Sequence, residues 1–165
     1  MADFDIAALY DALDAQRQAR GLTWTQTARA LSPTSRDPAV PSISASTLTG
    51  MRNRGAVEGD GVLQMLRWLG RAPESFMPGA TATASLPPSR PDQILRFDTT
   101  AIYAALEKRR VERGLTWKQV ADQLQGFSVA SLKRLSEGGR TAFPHVARIA
   151  LWLDVPVASF TRAVD

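Results

Sequence analysis

The sequence contains no cysteine. Disulfides and thiolate metal sites are therefore excluded, and a reducing, cytoplasmic home is expected. Its single histidine, His145, stands without a carboxylate cluster. One such ligand cannot hold zinc, so a surface role is expected. Every apolar run falls short of the ~18–20 residues that a membrane span needs. No membrane partner is expected, and the opening, MADFDIAALYDALD, is acidic where a secretory signal would be basic, so export is not expected either. The chain also lacks a Ser-His-Asp set, a Walker loop and a glycine-rich dinucleotide fingerprint. Gly138-Gly139 reads as a helix stop. No cofactor and no enzymatic activity are expected.

What is present is an internal duplication, the first thing to seek in any chain. Residues 10–31 align without gaps on 103–124, with twelve of 22 positions identical. Unrelated segments of average composition share about one or two. Tyr10, Leu13, Arg17 and the run Gly21-Leu22-Thr23-Trp24 answer Tyr103, Leu106, Arg110 and Gly114-Leu115-Thr116-Trp117. After a shift of register, Ser44 answers Ser128, Trp68-Leu69 answers Trp152-Leu153, and Ser75-Phe76 answers Ser159-Phe160. The extra residues of the first copy fall in a Pro/Ser-rich stretch, 32–42, which reads as a loop. Between the copies, 77–95 is rich in Pro, Ala, Ser and Thr without periodicity, and reads as a linker. The expected division is therefore 1–76, a linker 77–95, and 96–165.

The charge of +4 is unevenly spread. Residues 1–80 hold eight basic and eight acidic side chains, while 96–165 hold eleven against seven. A surplus of this sign in the second half suits a polyanionic partner.

Both copies read as helical. In the second, apolar residues at Ala101, Ile102, Ala105 and Leu106 follow helical spacing, and Gly114 stops that helix. Thr116 and Gln119 form a capping box for a helix over 117–124. Ser128 caps a third helix running to about Glu137, and Pro144 opens a fourth. A short fifth helix is expected at about 157–162. No strand-length alternating run is evident, so the expected class is all-α: two tandem five-helix bundles. Trp68 and Trp152 have core-like spacing, and Trp24 and Trp117 read as lids over the first helices.

The order helix, Gly-Leu-Thr, short helix, turn, Ser-capped helix, Gly, Pro-started helix resembles the phage-repressor/Cro-like (XRE) helix-turn-helix regulators. Leu106, Arg110, Gly114, Leu115, Thr116, Ala121, Leu124, Ser128, Leu132 and Leu135 fill the pattern. Leu13, Arg17, Gly21, Leu22, Thr23, Ala28, Leu31, Ser44, Leu48 and Met51 fill it in the first copy. Four features depart from the family. Trp24 and Trp117 replace its usual Gln, and the second copy's turn, Gln125–Ser128 with its cap, has four residues where three are usual. The first copy's turn is swollen, and Arg52 and Ser136 stand where a Glu often pairs with the first-helix Arg.

The resemblance implies double-stranded DNA as partner, with the third helix in the major groove. It assigns base contacts to Ser128, Ala130, Ser131, Lys133 and Arg134, and phosphate contacts to Lys118, Gln119 and Arg140. The first copy would present Ser44, Ser46, Thr47 and Thr49, with Arg52 and Arg54 at the helix end. It has no cation in the first two turns, which leaves it open between DNA and a protein partner. Two functions therefore stand side by side. One is a transcriptional regulator whose second repeat dominates DNA binding. The other is an interaction adaptor or anti-activator on the same scaffold, since fold does not decide function. The oligomeric state is left open.

Overall fold

The computed structural model describes residues 3–32, 43–54 and 58–164. The expected loop of 32–42 lies, from residue 33 on, outside the described residues. The first half runs α1 (Ile6–Ala19), α2 (Trp24–Leu31), α3 (Ala45–Arg54), α4 (Gly59–Leu69) and a 3-10 turn, Pro73–Phe76. The second runs β1 (Ile94–Phe97), α5 (Thr99–Arg113), α6 (Trp117–Leu124), α7 (Val129–Arg134), α8 (Phe143–Leu153), a 3-10 turn at Val157–Phe160, and β2 (Thr161–Val164).

Local chemistry sets the ends of these elements. Asp5 and Asp98 accept from the backbone N–H groups of Ala8 and Ala101, at 2.9 and 3.1 Å, and so cap α1 and α5. Thr23 with Gln26, and Thr116 with Gln119, form reciprocal capping boxes on α2 and α6. Gly114 ends α5 in the left-handed region at φ 64°, where a side chain would be strained. The third helix of the second half is shorter than expected. α7 stops at Arg134 and a 3-10 turn, Leu135–Glu137, completes the segment.

The chain is mostly helical, but the all-α expectation needs correction. β1 and β2 pair antiparallel, with Ile94 opposite Val164 and Phe97 opposite Thr161. The chain expected to finish a fifth helix therefore becomes strand after Phe160. The strands are four residues each, and β1 is buried at Ile94, Leu95 and Phe97 rather than alternately. Such a segment carries no period-2 signal, and its partner lies far away in sequence. The equivalents of Arg162 and Ala163 in the first half are Pro78 and Gly79. Proline lacks a ladder donor, and that segment turns back instead, Ala80 N–H donating to the Met77 carbonyl at 3.1 Å.

One apolar core runs through both halves, from Leu9, Leu13 and Leu48 to Ile102, Leu106 and Leu132. The halves meet at equivalent places. Glu58 and Ala142, each just ahead of its half's fourth helix, form a two-residue antiparallel bridge, and Gly59 N–H donates to the Thr141 carbonyl at 2.8 Å. The segments ahead of α1 and α5 cross over. Phe4 packs on Phe143 of the second half, ring centroids 4.4 Å apart. Its counterpart Phe97 lies over Gly59 of the first half, where an added Cβ would come within 2.8 Å of the ring.

The crossing is tied by polar groups. Asp60 on α4, only 6% exposed, accepts from Arg96 Nε at 3.1 Å and from the Phe97 backbone N–H at 3.0 Å. Gln64 donates to the Leu95 carbonyl at 2.7 Å. Two α4 side chains thus take up backbone groups of β1 that would otherwise be an open strand edge. On the other side the polarity is reversed, with Arg148 on α8 paired to Asp3 at 2.6 Å. The segment between the halves is held down as well. Ala84 N–H donates to Glu74 at 3.0 Å, Thr81 donates to Asp154 at 2.8 Å, and Arg67 donates to the Gln93 carbonyl at 2.7 Å.

Candidate nucleic-acid interface

The turn between the first two helices is built alike in both halves. Arg110 makes two hydrogen bonds to Glu107, at 3.0 and 2.7 Å, donates to the Leu115 carbonyl at 3.0 Å, and lies 5.3 Å from the centroid of Trp117. Arg17 does the same with Asp14, the Leu22 carbonyl and Trp24. Hydrogen bonds from these arginines hold the carboxyls of Glu107 and Asp14 below their ordinary range. Trp24 stacks on Tyr10 and Trp117 on Tyr103, with centroids 5.4 and 5.2 Å apart. These tryptophans thus cover the first helices, and the arginines find acids on their own helix rather than at the end of the third.

Ser128 caps α7. Its hydroxyl accepts from the Ser131 N–H at 3.1 Å, and Ser131 Oγ accepts from the Ser128 N–H at 2.9 Å. Ser128 and Ser131 therefore serve helix initiation, as Gln119 serves the cap of α6, its Oε1 accepting from Thr116 N–H at 2.8 Å. Ala130, Lys133 and Arg134 are exposed on α7, and Lys118 is exposed in the first turn of α6. None of these three cations forms an ion pair among the described residues. Arg140 approaches Glu58 of the first half at 4.0 Å, an ion-pair separation too long for a hydrogen bond.

The corresponding face of the first half is different. Ser44 Oγ lies 3.0 Å from Ser46 Oγ and 2.9 Å from Thr47 Oγ1, so the three hydroxyls at the start of α3 satisfy one another. Thr49 donates back to the Ala45 carbonyl at 3.1 Å. Arg52 is drawn toward α1, 4.0 Å from Asp11 and 5.9 Å from the Tyr10 centroid. Arg54 is the last residue of α3.

Sequence reading missed Arg148. Besides Asp3, it donates to the Gln125 carbonyl at 2.6 Å, in the turn between α6 and α7. Gln125 has φ 57°, a strained value for a residue with a side chain, so this hydrogen bond steadies the turn that aims α7. Nothing in helical periodicity marks such a residue, because both partners are distant in sequence. His145 lies at the surface with its ring 4.9 Å from that of Phe127. No helix among the described residues is long and apolar enough to cross a membrane. No family model, curated protein or solved structure matches this chain.

Proposed function

We propose that the protein is a double-stranded DNA-binding regulator of the phage-repressor/Cro-like helix-turn-helix type. In this reading each half is one helical helix-turn-helix unit, and α7 is the main reader. The observation that carries it is the exposed set Ala130, Lys133 and Arg134 on a capped helix, with Lys118 on the helix before it, none of the cations ion-paired among the described residues. Arg134 has the donors for a two-bond contact to guanine, and Lys133 can reach the same edge. Lys118 suits a phosphate. Arg140 fills that role only by leaving Glu58. The reading assigns no catalytic step and no cofactor.

A second reading rests on α3. Its leading hydroxyls are occupied with one another and Arg52 is turned to α1, which favours a protein partner on the first half. That would make the chain an adaptor or anti-activator.

Electrophoretic shifts with genomic fragments at two salt concentrations test the proposal. Lys133→Ala and Arg134→Ala should each weaken specific binding by about 1–3 kcal/mol. Lys118→Ala should weaken all sequences alike and flatten the salt dependence. Undiminished affinity of the double variant Lys133→Ala/Arg134→Ala would remove α7 as the reader. Failure of the intact chain to bind any fragment would leave the adaptor reading.

A further inference from the structure

Formal charge makes the first half neutral, but ion pairing across the seam does not leave it so. Three of its acids face arginines of the other half: Asp3 with Arg148, Glu58 with Arg140, and Asp60 with Arg96. Two more, Asp14 and Asp11, pair with Arg17 and Arg52. Glu74 accepts from a backbone N–H. Arg20, Arg29, Arg67 and Arg71 are left with no carboxylate partner among the described residues.

Three of these four line two adjoining clefts beside the C-terminal end of α4. One, of about 220 Å³, runs between Arg67, Arg71, Leu66 and the segment Ser85–Ser89. The other, of about 400 Å³, is bounded by Arg29, Arg67, Ser89 and Arg90. Among the described residues no acidic side chain lines either cleft. Arg67 and Ser89 belong to both, joined by a 3.0 Å hydrogen bond. Arg67 is half-buried, and among the described residues its guanidinium donates to the Ser89 hydroxyl and the Gln93 carbonyl and meets no carboxylate. Burial lowers its guanidinium from its ordinary range, as expected of a cation held off from water without a counter-charge.

We propose that these clefts bind a small phosphorylated ligand, its phosphates held by Arg29, Arg67 and Arg71 and its apolar part resting on Leu66, Leu86 and Pro87. Guanidinium groups match phosphate oxygens with paired, charge-assisted hydrogen bonds. A recessed arginine flanked by two exposed ones suits a compact anion that enters a cleft better than the flat run of phosphates on a duplex. The site stands apart from α7 and does not depend on what α7 reads. It would give a regulator an effector site between α4 and the segment that joins the halves.

The test is calorimetric titration of the full chain with pyrophosphate, against sodium chloride of equal ionic strength. Saturable binding is expected, weakened about tenfold, or about 1.4 kcal/mol, in Arg29→Gln/Arg71→Gln with an unchanged melting temperature. Both side chains are exposed, so the fold should tolerate the change. In the unaltered chain the Arg67 Nε–H resonance should shift during the titration. Absence of saturable binding, an unmoved Arg67 resonance, or equal affinity of the double variant would each overturn the proposal. So would a variant that loses duplex affinity while the unaltered chain ignores pyrophosphate, since the arginines would then serve the DNA backbone.

Discussion

Gly59 and Phe143 occupy the same position in the two copies, at the start of α4 and of α8. The contrast between them shows how one duplicated unit was fitted to its twin. Phe143 is fully buried and receives Phe4 on one side and Phe97 on the other, at centroid distances of 4.4 and 5.7 Å. At Gly59 the space is already filled, because Phe97 and the Thr141 carbonyl lie 2.8 and 2.7 Å from where a Cβ would sit. Two phenylalanines at a near-symmetric seam would collide, so bulk on one side is matched by its absence on the other. The ion pairs of the crossing segments follow the same logic. Asp3 reaches Arg148 on one side and Arg96 reaches Asp60 on the other, so acid and base have exchanged places.

The largest effect is expected from emptying the seam. Phe143→Ala should cost about 3–5 kcal/mol. Denaturant unfolding followed separately in each half should then lose both halves in one transition. Two well-separated transitions would break the claim that the seam couples them. Overfilling the same seam should cost less. Gly59→Ala should destabilise by about 1–3 kcal/mol, and a neutral result would mean that Phe97 is free to withdraw.

A smaller effect should come where the copies agree. Thr23→Ala and Thr116→Ala remove equivalent caps, with Thr–amide distances of 3.1 and 3.2 Å, so each should cost about 1 kcal/mol. Thermal melts of the two variants should therefore nearly coincide. A wide disparity would show that the second helices are not equally needed.

The smallest effect expected is a pH dependence at the seam. Burial raises the carboxyls of Glu58 and Glu74 above their ordinary 4.5, and the neighbouring Asp60 adds to the rise at Glu58. A raised carboxyl favours the folded state in its neutral form. That contribution is complete below the ordinary value and is lost as pH rises through the raised one. Glu58→Gln/Glu74→Gln should thus gain on the unaltered chain as pH rises above the ordinary carboxyl range and through the raised values, as read by denaturant midpoints. Asp98 runs the other way. The Thr100 hydroxyl and the Ala101 N–H lower its carboxyl, so its capping contribution fades as pH falls. A gap between the glutamine variant and the unaltered chain that stays constant with pH would contradict the assignment.

Much of this architecture was legible in the chain because its causes are local. The Thr-x-x-Gln boxes, the glycine after α5 and the apolar spacing of Ile102 and Leu106 act within a few residues. So did the candidate reader: Ser128, Lys133 and Arg134 stand at stated offsets from a recognisable turn. The duplication itself needed only alignment. The two-stranded sheet was not legible, because Ile94–Phe97 and Thr161–Val164 are too short for a periodic signal and pair across most of the second half. Asp60, Gln64 and Arg148 carry no local signal, because Phe97, Leu95 and Asp3 reach them only in the folded chain. Charge changed its meaning for the same reason. By composition the first half is neutral, but once three of its acids face the other half's arginines, it keeps guanidinium groups that meet no carboxylate among the described residues. The chain by itself determined the helices, their caps and the repeat, which are decided by neighbours in sequence. Which groups are paired, buried or left to bind something else was decided only in the tertiary structure, where electrostatics and packing act through space between residues far apart in the chain.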